Sequence, residues 1–596
     1  MKRVLLVAVS LVLALGVVAA PAAAVPVTDL TVLADYFPAD TAVFFSMRTD
    51  DAFIDELDSL VETLRDALPR GAVPPFTLRD ALDEGMAEFG EDATFENTIR
   101  TWLGDTMAVG VLTLEDAMMG MNDQPPMLIA IEISDRAAAE QFVVQSYESN
   151  GGEVETETDG DYTLLTPESP SNAFFALGDD VLLLATERDL LPLNSDFRSL
   201  ADNTDFSDSV GSLPASDYHA IFALDLQDIM SQAYAMMQSQ AEMMGPSAEM
   251  FTALGPLYEN YPRQTLGLTM LDERSLAIDF VQSPFDYAAL ADTFMGDVSA
   301  LLDTPAVDLD FAAHVPADAP FALQGTGFGN SVTYGIDVMA AVMEMGVRQG
   351  MMSDSRMGSR ADDVPAMIEE MDANDVRAFV DLAFAGMTGL NLEEDVLPHL
   401  NGNAAMFGRV LPSEATEFTF DAALVFEVTD AAAMQAIMDQ LVDAMTRYEA
   451  DFTYEDGVLV LPGVIRGLFP QRFQEDLDAE ATFDFLIGLN DEVFAVGSRE
   501  AVEFVLSGEG DSLADAPAFA DARAHFLEGS QQVGYLGFSP VRDLVEQVLA
   551  TMGGPGNDSS VGAVLSVLDA LSSASYSTRI NEDGGAVGRM VLTLAG

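Results

Sequence analysis

The feature that most constrains the fold of this chain is that its second half repeats the pattern of its first half. The sequence Pro38-Ala39-Asp40, which precedes an apolar stretch, returns as Pro316-Ala317-Asp318 before another apolar stretch. The segment SLADNTDF at 199–206 returns as SLADAPAF at 512–519. Further segments match in the same order: 102–112 with 399–411, 127–142 with 423–437, 173–189 with 485–501, and 218–230 with 533–545. These collinear matches predict a tandem duplication.

The spacing of the matches indicates the kind of duplication. Solenoid repeats have periods of roughly 20–50 residues, far shorter than the spacing of about 300 residues in this chain. We therefore predict two homologous domains, 25–305 and 306–596. The second copy carries net insertions, one of them expected in the Met-rich stretch 339–371.

Each copy contains short segments typical of strands. Runs rich in β-branched and large apolar residues predict strands, and such runs lie at 42–47, 127–133, 162–166 and 181–186. Turn pairs of the hairpin type separate them, namely Asp159-Gly160, Gly178-Asp179 and Asp456-Gly457. The segment 266–281 predicts one more hairpin, with its turn from Asp272 to Ser275.

Helical patterns intervene between these strands. Apolar residues at helical spacing predict a helix at 51–68, with Phe53 and Leu57 on its buried face. A matched pair of helices is expected at 135–147 and 430–445, and each begins at an aspartate, a favourable N-cap. Several hairpins with helices between them predict the α+β class, with a mainly antiparallel sheet layered by helices in each copy.

Charge narrows the functions open to the chain. It has 99 Asp and Glu against 25 Lys and Arg, and its only lysine is Lys2. Nucleic-acid binding and docking on an anionic membrane surface both depend on basic residues, so neither is expected. A net charge of −74 destabilises a compact fold by self-repulsion unless salt screens it. The acidity therefore fits a saline habitat, and equally an acidic protein from a GC-rich genome.

The N-terminus has the three parts of a secretory signal peptide. Lys2 and Arg3 precede an apolar run from Val4 to Ala20, and Ala22-Ala23-Ala24 offers a cleavage site. We expect residues 1–24 to be removed after Ala24 and the mature protein to be secreted or periplasmic. A retained membrane anchor is the alternative. The chain has no Cys, so disulfides and attachment through a lipobox cysteine are excluded.

The Pro-Ala-Asp element and the Ser-Leu-Ala-Asp element with its following Phe resemble the DUF3352 family of uncharacterised exported bacterial proteins. The matching residues are 38–40, 199–202 and Phe206, repeated at 316–318, 512–515 and Phe519. The resemblance implies an exported α+β protein with two tandem copies. No activity is established for that family, so it implies no catalytic residue.

Motifs that carry chemistry are weak in this sequence. Gly510-Asp511-Ser512-Leu513 spells the motif of a serine-hydrolase family, but His525 is its only downstream histidine and has the wrong spacing. The first copy has Phe197-Arg198-Ser199-Leu200 at the same place, which favours a duplicated structural turn. The four histidines are dispersed and form no zinc motif; they are His219, His314, His399 and His525.

Three further features have a structural explanation. The run Gly325–Gly329 resembles a phosphate loop but lacks a following lysine, so a bulge or flexible strand end is expected. Arg188 and Arg499 each follow a strand, with Thr186 and Ser498 before them, which favours a helix N-cap and a structural ion pair over an anion site. Diffuse, weak binding of divalent cations by the acidic surface is expected, without an EF-hand loop.

Two Met-rich stretches leave three interpretations open: packed core, a groove for an apolar ligand or protein partner, and a Cu(I) site. Their methionines are Met236, Met237, Met243, Met244 and Met250 in one, and Met339, Met343, Met345, Met351, Met352 and Met357 in the other.

The sequence thus nominates no catalytic, cofactor-binding or metal-binding residue. It favours an exported, non-catalytic binding or interaction protein of the cell envelope or exterior, with an apolar ligand or a protein as its partner. Two alternatives remain: a structural acidic envelope protein adapted to salt, and a hydrolase with an unsignalled carboxylate site. The single tryptophan, Trp102, argues against a sugar cleft lined by many aromatic residues.

Overall fold

The computed structural model describes residues 24–55, 57–59, 77–86, 93–112, 125–148, 154–167, 174–194, 196–227, 229–231, 234–235, 238, 255, 258, 261–285, 298–302, 304–340, 373–413, 417–462, 484–551 and 559–595. The expected signal peptide lies outside this part, except for residue 24. Within the described residues, no helix is both long enough and apolar enough to cross a membrane.

The fold is α+β, as the alternation of hairpins and helical patterns predicts. The strands are β1 (Val25–Pro26), β2 (Val43–Arg48), β3 (Leu103–Val111), β4 (Met127–Ile133), β5 (Val154–Asp159), β6 (Tyr162–Pro167), β7 (Phe174–Leu177), β8 (Val181–Ala185), β9 (Asp217–Tyr218), β10 (Ala220–Leu224), β11 (Gln264–Asp272), β12 (Ser275–Gln282), β13 (Phe321–Gly325), β14 (Ala404–Ser413), β15 (Glu417–Glu427), β16 (Thr453–Glu455), β17 (Val458–Leu461), β18 (Phe485–Leu489), β19 (Val493–Ser498), β20 (Gln532–Gly537), β21 (Leu571–Ile580) and β22 (Ala586–Leu594).

The α-helices of the described residues include α1 (Val27–Thr31), α2 (Leu78–Met86), α3 (Phe95–Thr98), α4 (Arg136–Glu148), α5 (Thr204–Gly211), α6 (Ser299–Leu302), α7 (Ala373–Thr388), α8 (Ala431–Arg447), α9 (Arg499–Ser507), α10 (Pro517–Arg523), α11 (Phe538–Thr551) and α12 (Ser559–Ala570). Residues 51–55, 57–59 and 328–340 are also helical. Short 3-10 helices lie at Val32–Tyr36, Arg188–Leu190, Leu200–Asp202, Leu309–His314, Leu397–Leu400 and Leu513–Asp515, and a π-helix lies at Leu392–Val396.

Twenty of the described strands form one antiparallel sheet. From one edge to the middle, the pairings follow the order β5-β6-β7-β8-β4-β3-β2-β10-β11-β12. From the other edge they follow the order β16-β17-β18-β19-β15-β14-β13-β20-β21-β22. The two orders correspond strand for strand.

The two runs of strands meet where β12 pairs with β22 over eight residue pairs, from Ser275↔Thr593 to Gln282↔Ala586. One continuous sheet therefore contains the strands of both halves of the chain. The division into two domains at 305/306 stays a prediction.

The expectations for two hairpin turns and for the two aspartate caps are confirmed. Strands β11 and β12 form the expected hairpin around Asp272 and Ser275. The Asp456-Gly457 pair has positive φ at both residues, as a two-residue hairpin turn of the primed type requires. Asp135 accepts hydrogen bonds from Ala137 N and Ala138 N, and the Asp430 side chain accepts from the corresponding amides of α8, so both aspartates cap their helices.

The repeated motifs occupy equivalent places in the two runs of strands. An isolated bridge joins Pro38 to Ser199, and another joins Pro316 to Ser512. Beside them, Leu200 N donates to Phe37 O at 2.7 Å, and Leu513 N donates to Val315 O at 2.7 Å. The Pro-Ala-Asp and Ser-Leu-Ala-Asp elements therefore contact each other, once in each half of the chain.

Candidate functional site

The registers assign every sheet residue to one of two faces. Successive side chains of a strand point to opposite faces, whereas residues paired across a ladder lie on the same face. We call the face that carries Phe44, Asp279 and Phe407 the closed face. We call the face that carries Ile278 and Met590 the open face.

Short helices cover the closed face. In the first half, Phe206 and Val210 of α5 join the buried cluster that contains Phe44. In the second half, Phe519 of α10 joins the cluster that contains Phe407. The interior on this side of the sheet is therefore packed in both halves.

The open face carries a line of apolar residues in one register across seven neighbouring strands, from β12 to β15. We call this line the apolar row; it consists of Ile278, Met590, Tyr576, Gly534, Leu323, Met406 and Leu424. Six strand spacings of about 4.8 Å make the row about 29 Å long.

The apolar row includes every large hydrophobic sheet residue that is exposed in the described part of the chain. The exposed fractions are 56% for Met590, 39% for Met406, 38% for Ile278 and 36% for Leu424. Scattered exposed apolar residues are ordinary on a protein surface, but a contiguous line of them marks an interaction or ligand site.

The row is continuous because an aromatic ring fills its one gap. A Cβ atom at Gly534 would lie 2.0 Å from Cε1 of Tyr576, so the tyrosine ring lies directly over this glycine. A residue with a side chain at this position would displace the ring. Glycine at 534 therefore allows the row to pass from Tyr576 to Leu323 without a break.

Among the described residues, the open-face positions of these seven strands carry no charged side chain, although about one residue in six of the chain is acidic by the count of 99 in 596. These positions include Leu276, Ile278, Phe280, Gln282, Ala586, Gly588, Met590, Leu592, Leu594, Ala574, Tyr576, Thr578, Ile580, Gln532, Gly534, Leu536, Phe321, Leu323, Gly325, Ala404, Met406, Gly408, Val410, Ala422, Leu424 and Phe426. This face is thus an apolar surface on a strongly acidic protein.

Both ends of the apolar row run into packed clusters. Beyond Ile278 the register continues to Leu268, which packs against a cluster that includes Met47 and Phe53. Beyond Leu424 it continues through Val496 to Ile487, which packs against the cluster around Met438. The exposed part of the row therefore ends at Ile278 on one side and at Leu424 on the other.

On the closed face, directly behind the row, a buried ion pair joins the two central strands. Arg589 donates two hydrogen bonds to the Asp279 carboxylate, at 2.6 and 2.8 Å, and Tyr218 Oη donates a third at 2.7 Å. Asp279 is fully buried. Burial and the Asp279 charge raise the pKa of Tyr218. Burial lowers the pKa of Arg589, but its hydrogen bonds to Asp279 outweigh this and raise it overall. Sequence patterns did not single out any of these residues.

The four histidines lie on different elements. His219 is fully buried, with Nδ1 3.3 Å from Arg48 Nη1, and burial together with the Arg48 charge lowers its pKa to about 4. Burial also lowers the pKa of His314. His525 Nε2 lies 3.0 Å from Asp272 Oδ2, and His399 belongs to the 3-10 helix Leu397–Leu400. Among the described residues, no group of three or more His, Asp or Glu is arranged to hold a metal ion.

The serine of the hydrolase-like motif has a structural partner. Ser512 Oγ donates to Asp515 at 2.8 Å at the start of a 3-10 helix, and Ser199 Oγ donates to Asp202 at 3.1 Å at the equivalent start. The duplicated turn that the sequence favoured thus has the same hydrogen bond in both halves.

The ion pairs expected for Arg188 and Arg499 are present, but the expected caps are not. Arg499 contacts Asp484 at 2.7 Å, and its pKa is raised by that hydrogen bond. Arg188 lies 3.6 Å from Glu157 and from Asp159.

Ser498 precedes α9 but makes no side-chain cap. Instead the buried Asp421, from the neighbouring strand β15, accepts from Ala501 N at 2.8 Å and caps the helix. Thr186 bonds the backbone of Met127 rather than a helix end. The cap prediction was therefore wrong, because the capping carboxylate comes from a neighbouring strand rather than from the adjoining chain.

The remaining sequence candidates have ordinary surroundings or lie outside the described residues. Gly327 has a positive φ of 71° and leads into the helix at 328–340, where a Cβ at Gly329 would lie 2.0 Å from Leu397 O. Trp102 is buried and donates to Thr98 O at 2.9 Å. Of the methionines in the two Met-rich stretches, only Met339 lies among the described residues, and its side chain is 47% exposed.

A comparison with protein families agrees with the resemblance noted above for the first part of the chain. No curated protein and no solved structure matches the chain. The model of the family described as "Protein of unknown function (DUF3352)" matches residues 4–193.

Proposed function

We propose that this chain is an exported, non-catalytic binding protein whose ligand is apolar and occupies the apolar row. One observation supports this above the others: four exposed large apolar side chains stand at the two ends of one line, joined by the half-buried Tyr576 and Leu323, on a sheet face whose described positions carry no charge, in a chain of net charge −74. Exposed apolar surface of this extent is unfavourable in water, so a ligand that covers it gains binding free energy by removing that surface from water.

Export is part of the proposal and rests on the N-terminal pattern. Lys2, Arg3, the apolar run and the small residues before Val25 are typical of a signal peptide that is cleaved. An exported binding protein meets apolar molecules of the cell envelope or of the surroundings. The acidic surface would keep it soluble whether or not the row is filled.

We also propose that the chain arose by duplication, with repeats at 25–305 and 306–596 and a second copy of the same family in the latter. The matching strand orders support this proposal, as do the equivalent Pro38–Ser199 and Pro316–Ser512 bridges. Because β12 and β22 share a ladder, the two copies would depend on each other for stability.

Little in the described geometry favours a hydrolase. Burial raises the pKa of Asp50, but hydrogen bonds from Arg48 and Phe53 N, together with the Arg48 charge, outweigh burial and lower the pKa overall. The pKa of Asp272 is lowered overall as well, by hydrogen bonds that include Arg274 N. A general acid requires a shift in the opposite direction.

The test is native mass spectrometry of the mature protein purified gently from its own organism, together with titration of the delipidated protein with N-phenyl-1-naphthylamine. This probe is uncharged and fluoresces in apolar surroundings. We expect a stoichiometric extra mass on the purified protein and saturable binding of the probe.

A matched pair of variants locates the site. Met590→Glu places a charge at the most exposed side chain of the row, the second of its seven positions, and is expected to reduce probe affinity at least tenfold. Val32→Glu makes the corresponding change at a similarly exposed apolar residue of the 3-10 helix Val32–Tyr36, whose Leu33 and Ala34 pack in the cluster of the closed face, and is expected to leave affinity unchanged. Equal affinity in the two variants, or a bare protein that does not bind the probe, would contradict the proposal.

A further inference from the structure

We infer that the ligand of the apolar row is a single extended hydrocarbon chain without charge, such as a long-chain alcohol or ester, bound across the strands with one molecule per protein. This inference rests on the proposed function and specifies its ligand class.

The shape of the exposed surface favours a chain over a compact molecule. The row is about 29 Å long by the strand spacing, and adjacent rows of one face lie about 7 Å apart along the strands. On one side the row is flanked by Leu276, Leu592 and Leu536. On the other side the polar Thr578 and Gln532 flank its middle, between Phe280 and Phe426 at the two ends. The apolar surface is therefore long and, in its middle, about two rows wide, which suits an acyl or alkyl chain better than a fused ring system.

Charge favours an uncharged ligand. The described open-face positions of the seven strands include no Arg and no Lys, so a carboxylate or phosphate head group would find no cationic partner there. The net charge of −74 repels an anion over the whole surface at low salt. The same repulsion opposes a second copy of this chain as the occupant of the row.

The part of the open face formed by β2, β10 and β11 favours one ligand per protein. The neighbouring row on the open face continues from Phe280 through Leu266 and Phe222 to Phe45. There the Phe45 and Phe222 rings lie 6.4 Å apart, and Phe45 packs against a buried cluster. In the described residues these aromatic side chains occupy the face beyond β12, and β2, β10 and β11 contribute none of the exposed large apolar residues.

The experiment is displacement of bound N-phenyl-1-naphthylamine by four competitors: a series of unbranched alkan-1-ols, hexadecanoate at pH 8, methyl hexadecanoate and cholesterol. It uses the full mature protein at the lowest salt at which circular dichroism shows a folded chain. We expect alkanol affinity to rise with chain length and to level off near an extended length of about 29 Å.

We further expect methyl hexadecanoate to bind at least tenfold more tightly than hexadecanoate, with one molecule bound per protein. The difference should shrink in about 1 M salt, where the Debye length is only about 3 Å. Cholesterol should bind more weakly than the best alkanol.

The outcomes separate this inference from the proposed function. If hexadecanoate or cholesterol binds as tightly as the neutral unbranched chains while Met590→Glu still abolishes displacement, the inferred ligand class is wrong but the location of the site is supported. Failure of the probe itself to bind would overturn both. Alkanol binding that survives Met590→Glu would place the ligand elsewhere and overturn the inference.

Discussion

A single substitution in the buried ion pair between β12 and β22 tests whether the two halves of the sheet unfold together. Replacing Arg589 by Met leaves the fully buried Asp279 carboxylate with Tyr218 as its remaining side-chain donor. Breaking a buried ion pair in this way costs about 3–5 kcal/mol, because the surviving charge has lost its partner. In urea, with a slope near 3 kcal/mol/M, the midpoint of unfolding should fall by about 1–1.7 M.

The single tryptophan makes the experiment informative about the two halves. Trp102 is buried in the first half of the chain, whereas Arg589 belongs to the last strand of the second. Because one ladder connects them, we expect Trp102 fluorescence and far-UV circular dichroism to report the same lowered midpoint. An unchanged Trp102 transition alongside a lowered dichroism transition would refute the reasoning, since the halves would then unfold independently.

Two further variants complete this test at constant salt. Arg499→Met removes an exposed ion pair with Asp484 and should cost no more than about 1 kcal/mol. Asp279→Asn combined with Arg589→Met removes the unpaired charge while keeping an acceptor for Tyr218, and should recover more than half of the lost stability. A loss below about 1 kcal/mol for Arg589→Met alone would mean that water reaches the carboxylate.

Three other expectations follow from single residues. The pKa of His219 is about 4 in the folded protein and near 6.5 when unfolded, so the stability that its neutral form contributes is lost as pH falls from about 6.5 to 4. In chemical denaturation, the unfolding free energy of the parent protein, measured relative to His219→Gln, should drop by about 3 kcal/mol over that range. Gly534→Val should displace the Tyr576 ring, cost about 1–3 kcal/mol by overpacking and weaken probe binding in the fluorescence titration. Ser512→Ala and Ser199→Ala should each cost about 1 kcal/mol in urea unfolding, and a far larger loss for Ser512 alone would contradict their equivalence.

Local features of the fold could be predicted from the sequence because their causes are local. The Asp456-Gly457 turn and the Asp430 cap each depend on residues within a few positions of one another. The strand at Met127–Ile133 and the hairpin around Asp272 follow from short periodic patterns. The duplicated Ser512–Asp515 turn was visible because the same residues recur in the first half.

One prediction was wrong for a non-local reason. Ser498 immediately precedes α9, but the cap comes from Asp421, more than seventy residues earlier and brought near by strand pairing. The ladder between β12 and β22 is non-local as well, and no pattern within either half indicates it. The Met-rich interpretation remains open, since only Met339 of those stretches lies among the described residues.

The sequence by itself determined the secondary-structure elements, the α+β class, the repeated motifs and the strong acidity of this protein. The tertiary structure alone decided that Ile278, Met590, Met406 and Leu424, from four separate strands, stand in one exposed line. It also decided that Asp279 meets Arg589, 310 positions away. Alternation along a strand tells which residues share a face, but the neighbour of a residue on that face depends on strand order and register. Both are set by packing of the whole sheet, so the candidate site could not be read from the chain alone.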